Sequence, residues 1–97
     1  MAITEYRLKS ITDLKEIWAY IAQDNSQRAD EWLNTLRKTI EMLSDQPYMG
    51  TSRPEYEHDI HGFPIGKYLI LYQIIQNGIC VVRVLHGARL LKRAWDA

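Results

Sequence analysis

The chain has 97 residues, with 12 Lys and Arg against 12 Asp and Glu and 46% hydrophobic residues. This is a single globular domain, 1–97, too short for separate catalytic and regulatory halves, and it buries only about two-thirds of the surface its unfolded chain exposes. The start "MAITEYRLKS" holds no apolar run long enough for a signal peptide or membrane span, and the lone Cys80 excludes an internal disulfide and suits a reducing cytoplasm.

The balanced total hides a split. Residues 1–62 carry seven Lys/Arg against eleven Asp/Glu, whereas 63–97 carry five Lys/Arg against Asp96 alone. The C-terminal third is therefore suited either to an anionic partner or to its own acidic N-terminal part.

In chain order, "AITEYRL" alternates and reads as a first strand. Ser10 or Thr12 offers an N-cap for a helix, with Asp13 in its first turn. Leu14, Ile17, Trp18 and Ile21 form the apolar stripe of that helix. "QDNS" breaks it, and Ser26 can cap a second helix with the stripe Ala29, Trp32 or Leu33, Leu36, Ile40 and Leu43. So short a link folds the two helices back on each other.

"DQPYMGTSRPE" reads as a loop, from two prolines and a glycine. "HDIHGFPI" is a strand in which Pro64 favours an edge or an end. Lys67 to Ile75 is apolar on both faces and should lie centrally. Asn77-Gly78 supplies the positive φ angles of a tight turn, and Ile79 to Leu85 returns antiparallel. The order β-α-α-β-β-β is an α+β layout, a helical hairpin on an antiparallel sheet.

The chain holds no phosphate-binding glycine loop, no Gly-x-Ser-x-Gly elbow and no CxxC pair, so no cofactor is expected. His58 and His61 have a ligand-like spacing. On extended backbone, however, that spacing sends the rings to opposite faces with no third ligand, so no metal is expected either. Asp30-Glu31 and Glu55/Glu57 read as solvated surface.

The last strand is the unusual one. By alternation Arg83 lies in line with Ile79, Val81 and Leu85, and His86 with Cys80, Val82 and Val84. An arginine within so apolar a strand needs a carboxylate, a solvent-facing patch or an anionic ligand. Arg89, Lys92, Arg93 and Trp95 then form a basic tail with one aromatic.

Taken together and in order, "DLKEIWAYIA", "QPYMGTSRPE", "FPIGKYLILYQI" and "VVRVLHGAR" resemble the ParE branch of the ParE/RelE toxin superfamily, from Tyr6 to Arg89. Two departures stand out. The link "LKSITDL" is shorter than usual, and Leu90-Leu91 replaces the usual acidic residue after "HGAR".

The resemblance implies the toxin of a bacterial type II toxin–antitoxin module, active in the cytoplasm and neutralised by a cognate, ParD-like antitoxin of ribbon-helix-helix type. It implies inhibition of DNA gyrase and so of replication, without catalysis and without direct DNA binding. The alternatives are a ribosome-dependent messenger-RNA endoribonuclease of RelE type, with Lys67, Arg83, His86 and Arg89 as its cationic and proton-transfer set, and an inert relative that only binds antitoxin. Arg83, His86 and Arg89, extended by Lys92 and Arg93, are the expected target surface. Trp18, Trp32 and Leu36 are the expected antitoxin contacts.

Overall fold

The computed structural model describes residues 2–87. Its elements are β1 (Ile3–Tyr6), α1 (Leu8–Ala22), α2 (Ser26–Asp45), a 3-10 turn (Pro47–Met49), β2 (Thr51–Ser52), β3 (Ile60–Ile65), β4 (Tyr68–Ile75) and β5 (Gly78–His86). The expected order therefore holds, with one short strand added. That addition falls in the segment read as a loop, where two residues pair with β3 at Gly62 and His61. The five strands form one sheet in the order β1-β5-β4-β3-β2. Its pairs are antiparallel except that β1 runs parallel to β5, so the sheet is mixed rather than antiparallel. The parallel pair follows from the helical hairpin, which carries the chain across the sheet before the remaining strands return.

Both helices start where local chemistry, rather than the first suitable cap, allows. Arg7 holds the N-cap position of α1 without a side-chain cap bond. The expected caps Ser10 and Thr12 lie inside the helix, where their hydroxyls donate to the carbonyls of Arg7 (2.6 Å) and Leu8 (3.3 Å). The short link leaves no slack: the Arg7 N–H still donates to Val81 O (2.9 Å) in continuation of β1, and the helix begins at the next residue. In α2 the cap is Asn25, whose side chain accepts from the Arg28 N–H at 3.1 Å, and Ser26 is the first helical residue.

The core lies between the hairpin and one face of the sheet. Leu36, Ile40 and Leu43 of α2 pack on Ile70, Tyr72, Ile79, Val81 and Val84, with Leu14, Ile17, Trp32 and Leu33 around them. Apart from Val84, these residues follow the 3.6-residue and two-residue periods of the sequence. A second cluster, Tyr56, Ile60, Leu69, Leu71, Val82 and Leu85, occupies the opposite face. The central strand β4 is thus buried on both sides, as its sequence required. Pro64 pairs with Leu69 on β3 beyond the reach of β2, where its missing N–H faces no neighbouring strand.

Tyr72 anchors the Pro47–Gly50 turn to the core. Its hydroxyl donates to Pro47 O at 2.6 Å and accepts from the Gly50 N–H at 3.1 Å. Burial pushes the phenol above its ordinary pKa, with the Gly50 hydrogen bond opposing. Tyr72→Phe should therefore cost about 1 to 3 kcal/mol in a urea titration, because two backbone groups lose a partner. Stability equal to the parent would mean the turn is held by other contacts.

Candidate functional site at the end of the last strand

β1 pairs with β5 only from Ile3↔Gly78 to Tyr6↔Val81. Beyond Val81 that edge of β5 needs another acceptor, and α1 supplies it. The Asp13 carboxylate accepts the Val84 N–H at 3.0 Å and two N–H groups of Arg83, at 2.7 Å from Nε and 3.0 Å from Nη2. The side chains of Arg83 and Asp13 are only 12% and 10% exposed. This is a two-pronged, charge-assisted contact that also caps an open sheet edge.

The site thus resolves one of the three options for Arg83: its partner is a carboxylate within the fold. The expectation that Arg83 stands exposed beside His86 is corrected, because the side chain is turned to Asp13 of α1 and largely covered. Ser10 and Asp13 are buried polar positions on the inward face of α1, continuing the stripe of Leu14 and Ile17. A carboxylate on an otherwise apolar helix face, matched by one arginine on an apolar strand, was the available signal for this pair.

The same region contains a register shift. Leu71 pairs with Arg83 but Tyr72 with Val81, so Val82 is the extra residue of a β-bulge. A bulge reverses the facing of everything after it. Val84 therefore joins Ile79 and Val81 in the hairpin-side core, and Leu85 joins Val82 on the far face. The alternation read from sequence, Arg83 with Ile79 and Val81 and His86 with Cys80 and Val82, fails at this point. Arg83 with Leu85 and His86 with Val84 hold, because both members of each pair follow the bulge. His86 is instead half-buried on the hairpin side, where it meets Tyr68 edge-on at 5.3 Å between ring centroids. Tyr68 in turn packs against Trp32 at 5.2 Å, and burial, then the nearby Tyr20, push its phenol above the ordinary value. The site is therefore an aromatic end wall, Trp32, Tyr68 and His86, beside the point where the chain leaves the sheet.

The other expected residues are dispersed around it. Lys67 is exposed in the turn between β3 and β4, and its carbonyl accepts the Gly87 N–H at 2.7 Å. Arg89, Lys92 and Arg93 lie outside the described residues. Trp18 is half-buried and its indole donates to Asp30 at 2.9 Å, bridging the hairpin. Leu36, expected at a partner groove, is 1% exposed and belongs to the core. It faces the sheet because it shares the inward stripe with Ile40 and Leu43. His58 precedes β3 and pairs with Asp59 at 3.0 Å, while His61 stacks on Tyr72 at 5.7 Å. Among the described residues no group of three or more His, Cys, Asp or Glu is placed to hold a metal ion.

A helical hairpin on a mixed five-stranded sheet defines a small α+β domain. The sequence profile of the family described as "ParE toxin of type II toxin-antitoxin system, parDE" matches residues 5–91, and the chain belongs to that family. It is 29% identical over 84 residues to Toxin ParE1 of Caulobacter vibrioides (strain ATCC 19089 / CIP 103742 / CB 15), covering 84% of this chain and 86% of that protein. Its fold is similar to that in a solved structure of the chromosomal ParDE TA system from P. aeruginosa, with TM-score 0.72 and 15% identity over 89% of this chain and 96% of that one. Membership in a family of toxins from toxin–antitoxin systems implies an antitoxin partner. Among the described residues no helix is long and apolar enough to cross a membrane.

Proposed function

We propose that this toxin inhibits DNA gyrase without catalysis, in the cytoplasm and without binding DNA by itself, and that a ParD-like ribbon-helix-helix antitoxin holds it inactive. The observation that carries the non-catalytic reading is the Asp13–Arg83 pair. A ribonuclease of the RelE kind needs several cations gathered over a scissile phosphate, to position it and offset its transition-state charge. Arg83 was the central member of that set, and its charge is already committed within the fold. Lys67 and His86 stand near the exit of β5, but His86 is packed against Tyr68. The target surface is then His86 with the basic residues that follow it, Arg89, Lys92 and Arg93. The antitoxin covers the hairpin, with Trp18 and Trp32 as its aromatic contacts.

Purified chain added to a gyrase supercoiling assay should lower supercoiling in proportion to its concentration, and antitoxin should restore it. The same chain should leave ribosome-bound messenger RNA uncut. Cleavage of that RNA, lost on His86→Gln, with gyrase unaffected, would overturn this reading in favour of the endoribonuclease.

A further inference from the structure

Burial alone does not decide the register of β5 after Val81. Ile79, Val81 and Val84 pack on the hairpin side and Val82 and Leu85 on the far side, and each of these side chains suits either cluster. A one-residue slip normally exchanges a core set of side chains for a solvent set, and that penalty fixes the register. Here the slip exchanges one buried set for another. A strand without the bulge would also regain the ladder pairing that the extra residue Val82 interrupts. Something other than apolar burial therefore holds the bulged register.

The arginine does. In the structure Ile70 faces Val84 and Tyr68 faces His86. Regular pairing onward from Tyr72↔Val81 would instead set Leu71 opposite Val82, Ile70 opposite Arg83 and Tyr68 opposite Leu85. The place opposite Ile70 lies in the hairpin-side core, and its present occupant, Val84, is 1% exposed. A guanidinium there loses its hydration and outgrows a valine-sized space. The bulge moves Arg83 opposite Leu71, just past the end of β1 at Tyr6↔Val81. At that open edge Asp13 meets Arg83 at 2.7 and 3.0 Å and takes the Val84 N–H at 3.0 Å. One carboxylate thus grips the two residues that follow the extra one.

We infer that the Asp13–Arg83 pair selects the bulged register of β5 and thereby positions His86. By keeping Arg83 out of the core place opposite Ile70, the pair carries His86 to the hairpin side, against Tyr68, which itself packs on Trp32. In the regular register Leu85 would take that place and His86 would turn to the far face. Asp13 and Arg83 are thus positioning residues for the first member of the proposed target surface. This deepens the functional reading and rests on it only for what His86 does.

The test is nuclear magnetic resonance on the full chain, free of antitoxin and gyrase. Ile70↔Val84 and Tyr68↔His86 are non-hydrogen-bonded pairs, because the Val84 N–H turns to Asp13 and the Gly87 N–H to Lys67 O. Their α-protons therefore lie close across the strands. Asp13→Ala with Arg83→Val removes both charges and gives position 83 a side chain that fits the place Val84 now fills. In that variant the α-proton contact of Ile70 should pass from Val84 to position 83, and that of Tyr68 from His86 to Leu85. The contact between the Tyr68 and His86 rings should be lost. Arg83→Lys, which keeps the cation, should keep the parental contacts. Parental contacts in the charge-free variant overturn the inference, and so does a shifted register in Arg83→Lys. Deleting Val82 gives a second test should the charge-free variant not fold. Regular pairing then sets Arg83 opposite Leu71, so the Tyr68–His86 contacts should persist without a bulge. Their loss in a folded deletion variant also overturns the inference. Because no target is present, failure here leaves the gyrase reading standing, and failure of the supercoiling assay leaves the register lock standing.

Discussion

Replacing Asp13 with Ala is expected to destabilise the domain by about 3 to 5 kcal/mol, the usual cost of stranding one member of a buried ion pair. The effect is large because Asp13 has two clients. Removing it leaves the Arg83 guanidinium without its carboxylate and the Val84 N–H without an acceptor. A domain of this size holds roughly 5 to 15 kcal/mol in total, so the variant should be partly unfolded near 37 °C. Asp13→Asn with Arg83→Met should recover much of the loss. It removes both charges, while the amide oxygen still accepts from Val84. In urea titrations the parent should be the most stable, the double variant next and Asp13→Ala the least stable. An Asp13→Ala protein as stable as the parent would mean that the pair contributes nothing.

Gly78→Ala should be nearly as damaging, for a steric reason. A Cβ at Gly78 would lie 1.7 Å from the carbonyl oxygen of Ile3, a backbone atom that cannot rotate away. Gly78 is therefore needed for close approach. The left-handed residue of the turn is Asn77, at φ 66°, so the expectation of positive φ at Gly78 is corrected. The turn itself is Gln76-Asn77, because Ile75 already pairs with Gly78. The added methyl must push β1 from β5 at the start of their pairing, where Ile3 N donates to Asn77 O at 2.7 Å. We expect a loss of about 3 kcal/mol, the upper range for overpacking, together with loss of exchange protection at the Ile3 amide. Full protection of that amide in the Ala variant would show that the backbone adjusts at no cost.

What the sequence made legible was whatever repeats with a period. The two helical stripes, the doubly apolar β4 and the order of elements all follow from spacing, and they are where the structure agrees. What escaped was set by single contacts between distant segments. Nothing in Val81-Val82-Arg83-Val84 marks which residue is the extra one of the bulge, because each valine suits either face. The bulge inverts the facing of Val84, Leu85 and His86, and with it the expected grouping of cations. Asp13 was visible as an acidic residue near a helix start, where the dipole explained it adequately. Its pairing 70 residues away emerges only once β1 ends at Tyr6 and leaves the β5 edge open. The aromatic wall of Trp32, Tyr68 and His86 was likewise hidden, since its members come from three elements.

Under the proposed function the C-terminal cations divide into a structural one, Arg83, paired with Asp13, and a target-binding one, Arg89. The measurement that tests this most directly compares Arg89→Ala with Arg83→Ala for growth inhibition, antitoxin binding and melting midpoint. Arg89→Ala should abolish growth inhibition while its antitoxin affinity and melting midpoint stay at parental values, as expected for a charge that acts on a target rather than on the fold. Arg83→Ala should lose all three together, because it leaves the Asp13 carboxylate buried without its cation. Undiminished growth inhibition by Arg89→Ala, or an unfolded Arg89→Ala beside a stable Arg83→Ala, would contradict the account.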